Sequence, residues 1–137
     1  MRNKSGSEYL NGKGVRKTLG KYERWHRGRV EVYQPATKKY VTKSILIASE
    51  KLGRPLKDME VVHHINMNGK DDRAENLFVC NNPNQHLWIH RRAKKIMRLA
   101  RDAGLVEWSD KDGMARRVRD LVELGILGWD DRGFYRV

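Results

Sequence analysis

Glu60-Val61-Val62-His63-His64-Ile65, then Asn66-Met67-Asn68-Gly69-Lys70-Asp71-Asp72-Arg73, then Leu77-Phe78-Val79-Cys80, is the stretch on which the fold turns. Its first part is an apolar run framing two histidines, and it reads as a β-strand. The second is polar and dense in turn formers, hence a loop. The third is a second short strand. Asn82-Pro83-Asn84-Gln85 follows as a helix start. Asn82 is placed to cap, Pro83 sits at the first helical position where its missing N–H costs nothing, and Gln85 stands where a capping-box partner belongs. The helix is expected to run to about Ala103 and stop at Gly104. Strand, loop, strand, helix is a ββα unit.

Four of the five histidines, His63, His64, His86 and His90, fall within these 28 residues. Neighbours on a strand point to opposite faces, so His63 and His64 serve different sides. His86 and His90 stand one helical turn apart on one face, a spacing that suits two imidazoles on one metal. With the helix packed on the hairpin, His63 supplies a third ligand, and His64 is left free as a base. Phosphodiester hydrolysis calls for such a set: a cation against the phosphate, and an imidazole titrating near neutrality to take a proton from water. A carbonyl oxygen on the second nitrogen of that imidazole is expected to fix its direction.

Moving outward toward the N-terminus, Thr42 is placed to cap a helix over Ser44–Leu52 that ends at Gly53 and faces the core with Ile45, Leu46, Ala48 and Leu52. Val30, Val32 and Gln34 alternate before a Pro35–Lys38 turn, and Lys39-Tyr40-Val41 resumes, which predicts a hairpin. Residues 1–28 read as a flexible basic arm. Toward the C-terminus a helix fits Gly113–Leu124, with Val118, Leu121, Val122 and Leu124 as its apolar side. Residues 126–137 form a hairpin around a Gly-containing turn. The expected fold is α+β, with the nuclease domain over 29–103, its core at about 60–103, and a helix-hairpin extension over 104–137 that is a candidate DNA-binding element.

The chain has 137 residues, 29 Lys and Arg against 17 Asp and Glu, and a net charge of +12. A length of this order allows one domain or one domain with an appendage. Residues 1–50 carry 12 basic and 4 acidic side chains, 51–90 carry 5 of each, and 91–137 carry 12 and 8. Basic flanks around a neutral, His- and Asn-rich centre favour a polyanionic partner, nucleic acid first. The single cysteine, Cys80, excludes an intramolecular disulfide and reads as a small buried hydrophobe. No apolar run reaches membrane-spanning length and no signal-peptide core follows Met1, so the expected compartment is cytoplasmic and no membrane partner is expected.

Val62-His63-His64-Ile65, Asn68, Asp72-Arg73-Ala74-Glu75-Asn76-Leu77, Gln85-His86 and His90 together resemble the HNH homing-endonuclease family of phages and introns. Its usual pattern is His-His-Ile-Asp-Gly-Asn, then Asn-Asn-Arg-Pro-Glu-Asn-Leu, then a helix carrying His or Asn. The resemblance covers roughly residues 38–92, with Asn68, Arg73 and Glu75-Asn76-Leu77 in register. It implies a ββα-metal (His-Me finger) core, DNA endonuclease activity, His63, His86 and His90 as metal ligands, His64 as general base, and Asn76 holding loop and base in place. Two positions depart from the pattern: Asn66 stands for the usual Asp and Met67 for the usual Gly. One additional residue between Asn76 and His86 leaves the first helical ligand open between Gln85 and His86.

Arg73, Arg91, Arg92, Lys94 and Lys95 are the candidate DNA contacts, with Arg98 and Arg101 further along the helix. In the basic arm Arg16, Lys17, Lys21, Arg24, Arg27 and Arg29 mix with Tyr22 and Trp25, a composition able to track a backbone or stack on a base. The cofactor implied is a divalent cation, Mg2+, Mn2+ or Zn2+, and the expected partner is double-stranded DNA. Two alternatives stand beside this: a non-catalytic DNA-binding protein with a structural metal site, and an RNA nuclease using the same residues.

Overall fold

The computed structural model describes residues 19–137. Among the described residues the fold is mixed α+β, with three α-helices and three small antiparallel sheets. β1 (Glu23–His26), β2 (Arg29–Gln34) and β3 (Lys39–Thr42) form a meander, and α1 (Lys43–Leu52) follows directly. β4 (Val61–His64) pairs with β5 (Leu77–Cys80), putting His63 opposite Phe78 and His64 opposite Leu77. Then come α2 (Pro83–Asp102), α3 (Lys111–Glu123) and a closing pair, β6 (Gly128–Trp129) with β7 (Tyr135–Arg136).

The arm expected over 1–28 is corrected at its end. Residues 1–18, with Arg16 and Lys17, lie outside the described residues, but Glu23–His26 is a strand in register with β2. The strand is not alternating, and what makes it is the turn. Arg27 and Gly28 take φ values of 49° and 77°, the paired left-handed conformations of a two-residue hairpin whose twist matches its strands. Side chains assigned to nucleic acid are partly occupied here: Arg24 pairs with Glu31 at 2.8 Å and lies 3.5 Å from the Tyr40 ring.

α1 packs on β2 and β3 and also on the β4–β5 hairpin, so it is the joint between the two sheets. Of the expected face Ala48 is buried and Leu46 half-buried, while Ile45 and Leu52 are exposed and Ser44 is buried instead, so the helix meets the sheets through small residues. Lys51 completes the joint, donating from Nζ to the carbonyls of Ala74 (3.0 Å) and Leu77 (3.1 Å).

α2 begins as its sequence demands. Asn82 Oδ1 accepts from the Gln85 N–H at 2.8 Å, Pro83 opens the helix, and Gln85 Oε1 reaches back to the Asn81 N–H. The core joins Cys80, Ile89, Ala93 and Met97 to Met114, Val118, Leu127 and Tyr135. Residues 104–137 therefore share one core with α2 instead of forming an appendage. On α3 the buried side is Met114 and Val118, and Leu124, expected inward, is exposed past the helix end. Cys80 is fully buried, and burial pushes its thiol up to about 11. Among the described residues no helix is long and apolar enough to cross a membrane.

Candidate metal centre

β4 and α2 bring three histidines together. His63, His86 and His90 offer ligand nitrogens that all lie within 4.8 Å of one another. The His63 ring meets the His86 ring edge-on at 5.3 Å and the His90 ring at 5.0 Å between centroids. The Nε2 atoms of His86 and His90 stand 3.0 Å apart, as one helical turn dictates. Gln85 is occupied in the cap, and it is His86 that stands in the cluster with His63 and His90.

The electrostatics keep these rings in the form that binds metal. Burial in the core takes His63 far below the ordinary imidazole range, with the neighbouring histidines adding to the effect. Burial also takes His90 down to about 4, and lowers His86 together with the charge of Arg29. Neutral imidazole is the ligating species, so the donor set needs no deprotonation near neutral pH. Three neutral nitrogens fit zinc or another borderline divalent cation, whereas magnesium prefers oxygen.

His64 occupies the opposite side of β4, as the strand period requires, but it is neither free nor held by a carbonyl. It is buried, its Nε2 stands 2.8 Å from Asp72 Oδ1, and the Arg29 guanidinium lies 3.4 Å from its Nδ1. Arginine only donates, so Nδ1 accepts and Nε2–H is directed at the carboxylate. Asp72 is itself buried. A carboxylate in place of the expected carbonyl orients the ring and also stabilises it once protonated.

The 66–76 loop is held by amide groups. Asn76, buried, accepts from the Asn66 N–H (2.9 Å) and donates from Nδ2 to Asn66 Oδ1 (2.9 Å) and the Asp71 carbonyl (2.8 Å). Its own carbonyl accepts from Ile65 N–H at 2.8 Å, which ties the loop to the residue beside the histidine pair. Asn66 uses donor and acceptor at once, giving to Asp71 Oδ2 and accepting from Asn68 N–H, which an aspartate in its place cannot do. Met67 takes φ 60°, a left-handed conformation that favours glycine and is adopted here by a residue with a side chain.

Of the candidate DNA contacts, two are occupied elsewhere. Arg73 places its fork on Asp71 (2.8 and 2.7 Å) and lines an open cleft with Glu75, Asp120 and Glu123, an acidic setting that repels phosphate. Arg92 donates from Nε to the Tyr135 carbonyl at 3.0 Å. Arg91 and Lys94 do line a groove with His90, which Arg98, Arg101 and Lys111 continue; Lys95 is exposed on α2 outside it. His26 is exposed, at the β1 end.

Sequence reasoning missed Asp72 and Tyr135 and placed Arg29 in a flexible arm. Asp72 stands eight residues after its histidine in a stretch with Asp71 beside it, and only the loop's shape tells them apart. Compared with models of known families, with curated proteins and with solved structures, the chain matches none.

Proposed function

We propose that this chain is a metal-dependent endonuclease of the HNH type that hydrolyses DNA phosphodiester bonds, with β4, β5 and α2 as a ββα-metal core. One observation carries the reading: three neutral histidines converge on one point while the residue adjoining one of them, His64, is a carboxylate-held imidazole on the other side of the same strand.

In this reading His64 Nδ1, the nitrogen not engaged by Asp72, takes a proton from the attacking water. Asp72 stabilises the imidazolium that results. Arg29, whose guanidinium stands 3.4 Å from His64 Nδ1 and whose charge is felt by His86, exchanges the imidazole for a phosphate oxygen when substrate arrives. His63, His86 and His90 would hold the divalent cation, which when bound would supply positive charge against the phosphate and the departing oxygen. The new P–O bond forms to the water oxygen as the bond to the departing sugar oxygen breaks. Asn76 touches no substrate; it is a positioning residue for the loop that carries Asp72.

The test is conversion of supercoiled plasmid to nicked or linear form with magnesium, manganese, zinc or EDTA. Wild type is expected to cut only with metal, and His64→Ala to lose about 10²–10⁴-fold in rate while keeping its metal. Failure to cut under any metal, with salt-sensitive DNA binding intact, sinks the nuclease in favour of a binding module. Faster cutting of RNA than of duplex DNA changes the substrate.

A further inference from the structure

The closing hairpin has a second attachment besides the core. Tyr135 on β7 is fully buried, and its hydroxyl stands 2.8 Å from His63 Nε2 and 2.6 Å from the Ile65 carbonyl oxygen. A phenol has one proton and the carbonyl has none to give. Two oxygens 2.6 Å apart repel unless a proton lies between them, so the tyrosine proton goes to Ile65. The 2.8 Å contact is then a bond from His63 Nε2–H to the phenolic oxygen. A neutral imidazole carries a single N–H, which leaves the lone pair on Nδ1.

The rest of the hairpin fixes the same ring. Trp129 on β6 stacks over His63 at 5.3 Å and 25°, and packs edge-on against Tyr135 at 4.8 Å. Arg92, on the helix that carries His86 and His90, holds the Tyr135 main chain. The imidazole is thus held on its face by one strand of the hairpin and at its edge by the other.

We propose that Tyr135 is a positioning residue of the metal centre: it fixes His63 as the Nε2–H tautomer, making Nδ1 the ligating atom, so that the C-terminal hairpin is part of the centre and not a DNA-reading appendage. This rests on the metal reading above. A hydrogen bond to the far nitrogen of a ligating histidine sets its orientation and basicity, and its removal costs roughly 10–100-fold in metal affinity.

Two measurements test it on the full chain. Long-range 1H–15N correlation spectra of the metal-free wild type are expected to show His63 in the single Nε2–H tautomer. Cobalt(II) titration is expected to give an affinity roughly 10–100-fold weaker for Tyr135→Phe than for wild type. Leu127→Val, in the same core where it lines a cleft with Ile96 and Leu121, controls for a loosened hairpin: it is expected to lower the melting temperature and leave cobalt affinity unchanged. An Nδ1–H tautomer in wild type overturns the proposal whether or not Tyr135→Phe folds. Equal cobalt affinities for Tyr135→Phe and wild type overturn the tyrosine's role while the metal centre stands. A wild type that takes up no cobalt overturns the centre and this role together.

Discussion

Asn76 spends every polar atom of its side chain on the 66–76 loop, so its removal takes partners away from buried groups of Asn66. Asn76→Ala leaves the buried Asn66 N–H unpaired, and the expected loss is about 1–3 kcal/mol of stability in urea unfolding. An unchanged midpoint removes the loop-staple assignment. Gly69 gives a gentler probe. Its backbone is not left-handed, yet a Cβ there overlaps the Arg29 guanidinium, the mobile end of a long side chain. Gly69→Ala is therefore expected to keep its melting temperature within a few degrees while slowing plasmid cutting about tenfold or more, by displacing Arg29 from His64. Full activity denies Arg29 its place at the phosphate. At this scale the sequence was legible where geometry is local. Adjacent strand residues face opposite ways, and helical residues four apart share a face, so the sides of His63, His64, His86 and His90 followed from position alone. Arg29 lies 35 residues from His64 and Tyr135 lies 72 from His63. No periodicity links such pairs, because they meet through sheet and hairpin docking.

α2 shows what an element's start contributes to a site. Its cap fixes where the first turn begins, and His86 lies in that turn. Asn82→Ala removes the side-chain acceptor for Gln85 N–H, with an expected cost of about 1 kcal/mol in denaturant unfolding. An effect below a few tenths shows that Gln85 and Pro83 hold the start without it. The cap, Pro and closing Gly were all legible because each is a local answer to unpaired backbone groups. β1 was not, since its residues lack alternation and the Arg27-Gly28 turn asks a non-glycine to adopt a left-handed conformation. Nor was the division of the basic residues on α2. Arg91 and Lys94 face the groove and Arg92 faces the hairpin, a difference set by what packs on each side.

For the molecule as a whole, acid acts through the imidazoles of the three-histidine cluster. His63 and His90 have folded-state values below the ordinary 6.5, with His90 at about 4, so the unfolded chain binds protons first as pH falls. Stability is then complete above about pH 6.5 and declines as pH drops toward the folded-state values. The urea midpoint of metal-free protein is expected to be lower at pH 5 than at pH 7.5, a range in which most carboxylates stay ionised. A midpoint that does not fall means the rings are not desolvated. Salt tests the other global property, the net charge of +12. The logarithm of DNA affinity is expected to fall linearly with that of salt concentration, and Arg91→Ala or Lys94→Ala to reduce the slope by about 1 each. Arg73→Ala is expected to leave the slope alone, since that guanidinium is committed to Asp71; an equal reduction returns it to the phosphate contacts.

The seat of His63 between Trp129 and Tyr135 also sets an order of assembly. A chain emerges from the ribosome N-terminus first, at roughly 5–20 residues per second. Every histidine of the centre is out before the hairpin that clasps the first of them. For an interval on the order of seconds the nascent protein has these three histidines but not the clasp, so the donors exist before the strand pair that orients one of them.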